Sequence, residues 1–341
     1  NSNMNAVYLG GGGLGLGRTY YQKEDAKNTE TLGNYNQYIN ALYGKVDPKT
    51  RDLKGPKVIE FEKLIASNLK TVEEMRDAQK RYNPVAVKDL NKMVKNMDVA
   101  KYIQTLGFKA DTVIIGELNY YQNLDKIVNE ENLPVIKEYL KFHVMDDATG
   151  YLTEELDQLS FDFYGRKLRG QKEQRSLDKR GLEFVNGNAG ELLGKLYVKE
   201  NFPAEAKAAC EELVQYLIKS FNVHIKDLAW MSPTTKEKAL EKLSKFTVKI
   251  GYPDKWKDYS SLQVGTSLIE NVNNVRRWSF EENLAKQGKP VDKSEWGMTP
   301  QTVNAYYSPL FNEIVFPAAI LQPPFYDYKA DPGVNFGGIG A

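Results

Sequence analysis

Histidine and cysteine are almost missing from this chain. Its 341 residues hold two histidines, His143 and His224, and one cysteine, Cys210. A single cysteine forms no internal disulfide and supplies no CxxC pair for redox chemistry or zinc. It sits in "AKAACEEL", a helical pattern, and reads as a buried inert thiol. A catalytic zinc takes three protein ligands as a rule, and neither histidine has a second one a helical turn away. Both read as hydrogen-bonded side chains on helix faces. An excess of one charge is also missing: 46 basic residues stand against 45 acidic ones, for a net charge of +1. That balance leaves no footprint for nucleic acid or an anionic membrane. No apolar run approaches the ~20 residues a membrane-spanning helix needs. The start, "NSNMNAVYLGG", has no signal-peptide pattern and no initiating Met, so a processed or cut end is expected there. No fixed-period repeat or low-complexity tract is present.

What is present is a globular composition, 41% hydrophobic and 27% charged, long enough for two or three domains. Most of the chain has helical spacing. In "KVIEFEKLIASNLKTVEEM", Val58, Phe61, Ile65, Leu69 and Val72 fall on one face, behind Pro56 at the start. Pro84 in "YNPVAVKDLNKM" ends that run. "DTVIIGE" is the one convincing buried strand of the first half. "LPVIKEYLKFHVMDDATGYL", "GELLGKLYVKENF" and "PAEAKAACEELVQYLIKSFNVHI" resume helical spacing, the last entered at Pro203. "SPTTKEKALEKLSKF" offers Ser232 or Thr234 as N-cap, with Glu237 in range of a capping box. Near residue 290 the texture turns β-rich and proline-broken, and residues 300–341 read as the start of a different domain.

Several patterns invite a sharper reading and do not support it. "GGLGLGRT" (12–19) matches a phosphate loop with Arg18 in place of lysine, and "GGGGLG" matches a dinucleotide fingerprint. Both need a strand before and a helix opening directly after. The "YYQKEDAKNT" that follows has no helical apolar stripe. "ENLAK" (282–286) has Lys286 where a zinc-peptidase segment would carry aspartate, and no His-Glu-x-x-His precedes it. The carboxylates of "NEENL" and "TEELD" read as solvent-facing.

The segment "VNAYYSPLFNEIVFPAAILQPPFYDYKADPGVNFGGIGA" (303–341) closely resembles the neprilysin family of zinc metallopeptidases, which includes endothelin-converting enzymes and bacterial oligopeptidase O. "GGLGLGRTYY", with Gly17 where proline is usual, resembles a further family stretch. So do "GELLGKLYVKENFPAEAK", "AWMSPTTKEKALEKL", "IGYPDKW" and "VDKSEWGMTP", in the expected order. Nearly the whole chain is covered, and the glycine run becomes a family loop.

The resemblance implies a mainly α fold: a large helical lid domain over 1–290 enclosing a chamber, followed over 291–341 by the first β-rich part of a thermolysin-like α+β catalytic domain. It implies a zinc-dependent endopeptidase that cleaves short peptides on the amino side of large hydrophobic residues. The family's His-Glu-x-x-His follows Gly-Gly-Ile-Gly-x almost at once. The single zinc ion is therefore expected on residues C-terminal to this chain, with no catalytic or metal residue among the 341 and no activity for the chain alone. The substrate-binding edge is present. By resemblance, Asn304 offers its side chain and Ala305 its main-chain carbonyl to an extended peptide on an edge strand, and Tyr306 shapes the adjacent subsite. Ile320 and Phe325 line the pocket for the side chain after the scissile bond, where burial is worth roughly 1.5–3 kcal/mol. Pro323 and Pro324 hold Phe325 in place. Ala319 replaces a usual glycine, and Ala341 a residue that is often Met near the same pocket. The expected partners are short peptides and the C-terminal remainder of the same enzyme. A bacterial, extracytoplasmic location is expected, with a cytoplasmic one left open. The alternative function is a non-catalytic helical module that binds peptides or a protein.

Overall fold

The computed structural model describes residues 3–46, 49 and 54–340. They are mainly helical and divide into two compact units. One is Met4–Arg175 with Leu262–Lys289; the other is Ser176–Ser261 with Asn3 and the residues from Pro290 onward.

The first unit is built on two adjoining cores. In one, helices Ala26–Val46, Gly55–Ala66 and Leu133–Ala148 surround an aromatic cluster. Tyr35 and Tyr38, three apart on one helix face, meet Phe142 and Phe163. The Tyr38 and Phe163 rings stack at 5.1 Å, and Tyr35 meets Phe142 edge-on at 5.7 Å. The other core lies against a three-stranded sheet of order β1-β3-β2: β1 (Val7–Leu9), β2 (Asn83–Ala86) and β3 (Thr112–Ile115). The central β3 runs parallel to β1 and antiparallel to β2. Its apolar run TVII buries Val113 and Ile115 against Phe61, Ile65 and Leu69.

The second unit carries helices Leu177–Asn201, Ala204–Asp227 and Pro233–Ser244. They accompany a sheet of order β4-β6-β5: β4 (Thr247–Gly251), β5 (Tyr306–Ser308) and β6 (Glu313–Pro317). β6 pairs in parallel with β4 and antiparallel with β5, so β5 is an edge. Phe202, Cys210, Ile250, Ala318, Leu321 and Tyr326 form the core. Pro203, at φ −68°, sets the entry into the second helix.

The β3 strand and the long helices lie where the sequence pattern puts them. Three local readings change. The Gly55–Ala66 helix stops short of both Leu69, which is buried all the same, and Val72, which is 43% exposed. The Ser67 hydroxyl and the Asn68 amide both donate to the Leu64 carbonyl, and such local bonds compete with helix continuation. Pro84 ends no helix; it lies in β2, an edge strand, where a missing N–H is tolerated. Ser232, not Thr234, is the N-cap, accepting from the Thr235 N–H at 3.3 Å. The third helical position is then Thr235, and Glu237 lies beyond the capping box.

Candidate functional site

Asn304 and Ala305 directly precede β5, whose outer edge is unpaired. A strand edge of this kind presents free N–H and C=O groups to an added strand. Asn304 is exposed and its Oδ1 accepts from the Ala305 N–H at 2.8 Å. Tyr306, the first residue of β5, is half-buried. Its hydroxyl accepts from the Gly297 N–H at 2.8 Å, tying the edge to the loop before it. Below, Lys249 of β4 pairs with the buried carboxylate of Glu313 on β6 at 2.8 Å and also donates to the Glu295 carbonyl at 2.9 Å. The same loop is thus pinned at two points.

Ile320 is half-buried in the turn after β6 and packs on the core around Phe202 and Leu321. Phe325 follows a cis Pro323–Pro324 bond and is 45% exposed. Its backbone is covered by helix Pro332–Gly338, capped at Asp331, whose side chain accepts from the Gly333 N–H at 2.7 Å. A Cβ at Gly338 would stand 2.5 Å from the Phe325 carbonyl oxygen, so only glycine permits this approach. Asn335 fixes the turn, accepting from Asp327 N–H at 2.9 Å and donating to its carbonyl at 2.7 Å. Ala341 lies outside the described residues. The fold therefore brings Asn304, Ala305 and Tyr306 together at one edge. Ile320 and Phe325 stand on the connection that leaves β6.

On the side of the sheet that carries Tyr307, an apolar cavity of about 470 Å³ opens between the sheet and helices Ala204–Asp227 and Pro233–Ser244. Cys210, Leu217, Phe246, Tyr307 and Ile314 line it, and Ile339 and Gly340 stand at its wall. Burial pushes the Cys210 thiol up to about 12, which leaves it inert, as its helical setting implies. Nothing in the sequence pattern announces this cavity, because its lining comes from segments far apart in the chain.

The glycine-rich loop is engaged by protein groups. The Gly15 N–H donates to Glu62 Oε1 at 3.0 Å, and the Leu16 N–H donates to the Tyr21 hydroxyl at 3.1 Å. Arg18 is paired with Glu117 at 2.9 Å. The helix that follows, Thr19–Gln22, is a single turn. A buried carboxylate against the loop amides excludes a phosphate there by like charge and by occupying the donors. His143 hydrogen-bonds Glu62 at 2.9 Å, and His224 sits exposed on the last turn of its helix. Among the described residues no group of three His, Cys, Asp or Glu side chains is placed to hold a metal ion. No described helix is long and apolar enough to cross a membrane.

Comparison with known proteins agrees with this architecture. Models of peptidase family M13 match residues 1–253 and 304–341. The neutral endopeptidase of Lactococcus lactis is 33% identical over 338 residues, spanning 97% of this chain and 54% of its own length. Human endothelin-converting enzyme 1 is 26% identical over the whole chain and 46% of its own length. Among solved structures, the inhibitor complex of Mycobacterium tuberculosis zinc metalloprotease Zmp1 superposes on all of this chain with a TM-score of 0.93 at 35% identity, using 52% of its own length. PepO of Lactobacillus rhamnosis superposes with a TM-score of 0.91 at 26% identity, over 99% of this chain and 55% of its own. The chain thus spans about half the length of the curated relatives it matches. The matched segments include the edge strand, the Pro-Pro turn and the glycine-rich loop, and on that ground the chain belongs to peptidase family M13.

Proposed function

We propose that this chain supplies the substrate-binding half of a zinc-dependent endopeptidase acting on short peptides. In this reading residues 1–290 form the helical domain that encloses the substrate, and 291–341 begin the peptidase domain. The observation that carries it is the open edge of β5 with Asn304 and Ala305 at its start. A peptide laid there as an added strand gains backbone hydrogen bonds whatever its side chains. Asn304 then fixes its register, and Tyr306, held by Gly297, keeps the edge straight. Ile320 and Phe325 offer an aliphatic and an aromatic surface to a large apolar side chain. This favours cleavage on the amino side of such residues.

Zinc would supply a Lewis acid and an activated water. The described residues do not fit it, since none of them forms a ligand group. In this reading the ligands and the general base come from residues C-terminal to this chain in the complete enzyme. The work of the present residues is binding and alignment. A second reading, a module that binds peptides without cleaving them, rests on the same open edge.

Asn304→Ala, made in the complete peptidase, tests the assignment. We expect kcat/KM for short peptides to fall roughly tenfold, the worth of one well-placed hydrogen bond of about 1.4 kcal/mol. Wild-type kinetics in that variant would remove Asn304 from the site. A complete gene product that binds peptides and never hydrolyses them would establish the second reading.

A further inference from the structure

Residues 299–302 lead into the edge strand, and their environment is unusual. They lie on helix Leu177–Asn201 at a place where that helix carries no side chains. A Cβ at Gly190 would stand 2.7 Å from Thr299 Cγ2. One at Gly194 would stand 2.8 Å from Pro300 Cδ and 3.0 Å from Gln301 Oε1. The two glycines, one turn apart, form a shallow seat. The helix loses helical geometry at Ala189 (φ −138°, ψ 39°), immediately before it.

Gln301 fastens the segment into this seat. Its Nε2 donates to the Gly190 carbonyl at 2.9 Å and to Asn186 Oδ1. Its Oε1 is buried with no hydrogen-bond partner among the described residues. A buried acceptor left unpaired costs free energy. A glutamine in this position is therefore present for its two donors. From Gln301 onward the chain is locked stepwise. Thr302 N–H donates to the Thr299 carbonyl at 3.0 Å, and Asn304 N–H donates to the Thr302 carbonyl at 3.0 Å. On the other side, the Pro300 carbonyl accepts from Ala319 N–H at 2.9 Å, one residue before Ile320. The seat thus joins the start of the edge strand to the turn that carries Ile320.

We propose that Gln301 is a positioning residue: anchored on the Gly190–Gly194 seat, it sets the direction in which Asn304 and Ala305 face an incoming peptide. This rests on the peptide-binding reading of that edge. Gln301 touches no substrate and acts through the backbone of Thr302 to Ala305. The flat helix face matters equally, since a methyl group at either glycine would lift the segment and turn Asn304 away.

The test uses the complete peptidase, with metal chelated so that peptide is bound and not cut, and Gln301→Met, which keeps the length and volume and removes both donors. The probe is the blocked peptide acetyl-Ala-Ala-Phe-Ala-amide carrying a fluorophore, titrated by anisotropy. Amide hydrogen exchange of 303–306 is followed in the absence of peptide. We expect a melting temperature within a few degrees of wild type, peptide affinity lowered roughly tenfold, and exchange at Asn304 and Ala305 accelerated by a similar factor. Exchange in β4 and β6 should be unchanged. Unchanged exchange at Asn304 and Ala305 overturns the proposal, as does acceleration spread evenly over β6, which would mark a general packing role. If Asn304→Ala loses affinity while Gln301→Met binds and exchanges like wild type, the peptide-binding reading stands and this inference falls. If wild type itself binds no peptide, that reading falls, and selective exchange at 303–306 alone decides whether Gln301 holds the strand.

Discussion

The imidazole of His143 and the carboxylate of Glu62 meet at 2.9 Å, and Glu62 is completely buried. The carboxylate also accepts from the Tyr21 hydroxyl at 2.7 Å, the Tyr35 hydroxyl at 3.2 Å and the Gly15 N–H at 3.0 Å. Burial, reinforced by the Glu62 charge, raises both phenols far above the ordinary tyrosine range. They stay protonated and keep donating at any accessible pH. One side chain therefore joins the glycine-rich loop, the first long helix and the Leu133–Ala148 helix.

Glu62→Ala is expected to cost about 3–5 kcal/mol, because it strands several buried donors at once. Urea unfolding at pH 7 measures it through the midpoint at constant slope. A loss below about 1 kcal/mol would show that water or a repacked side chain replaces the carboxylate, and that the loop does not depend on it.

Asp146, one helical turn from His143, gives a pH dependence of definite sign. Burial raises its carboxyl above the usual aspartate value, opposed by hydrogen bonds from Tyr38 and Tyr164 and by the nearby His143. The Tyr164 hydroxyl donates at 2.9 Å. As pH rises past ~3.9, the ordinary aspartate value, the unfolded chain loses this proton first and the folded chain holds it longer. The contribution is fully present below that pH and is lost as pH rises through the folded value. Asp146→Asn cannot ionise. Its stability relative to wild type should therefore improve as pH is raised from 3.5 to 7. Parallel curves would show no difference in proton affinity between the two states. A trend of opposite sign would show that the tyrosine donors outweigh burial.

How far the sequence could be read follows from the range of each interaction. Val58, Phe61 and Ile65 are legible as the buried face of one helix because helix periodicity is local, whereas Leu69 is buried beyond the end of that helix. Val72 misleads because Ser67 and Asn68 end the helix by side-chain bonds that no apolar pattern records. β1 and β2, three and four residues long, are too short to carry an alternation, and β2 contains a proline. β4 lies some fifty residues before its partners β5 and β6, so the sheet beneath the candidate edge cannot be assembled from the local texture near residue 290. Asn304, Ala305, Tyr306, Ile320 and Phe325 come from family resemblance, and the structure places the first three at an open edge. Gln301 escapes such a reading. Its meaning lies in contact with Gly190 and Gly194, two glycines that the sequence alone shows only as weak points in a helix.

The lone cysteine gives a last check, on the apolar cavity. Cys210 is 1% exposed yet borders the cavity between the helices and the sheet. Burial, with Glu211 beside it, pushes its thiol up to about 12. At pH 8 the thiolate is then on the order of 10⁻⁴ of the total, against a tenth or more for an ordinary thiol. Alkylation by iodoacetamide should therefore run about a thousandfold slower in the folded chain than in 6 M guanidinium, as followed by intact mass. Raising the pH to 9.5 should speed the native reaction nearly tenfold per pH unit, because the thiolate fraction rises in proportion while the fold stays shut. A native rate that is slow but independent of pH would instead mean that opening of the cavity limits the reaction. A native rate equal to the denatured one would mean that the helix bearing Cys210 is not packed on Ile250 and Leu321.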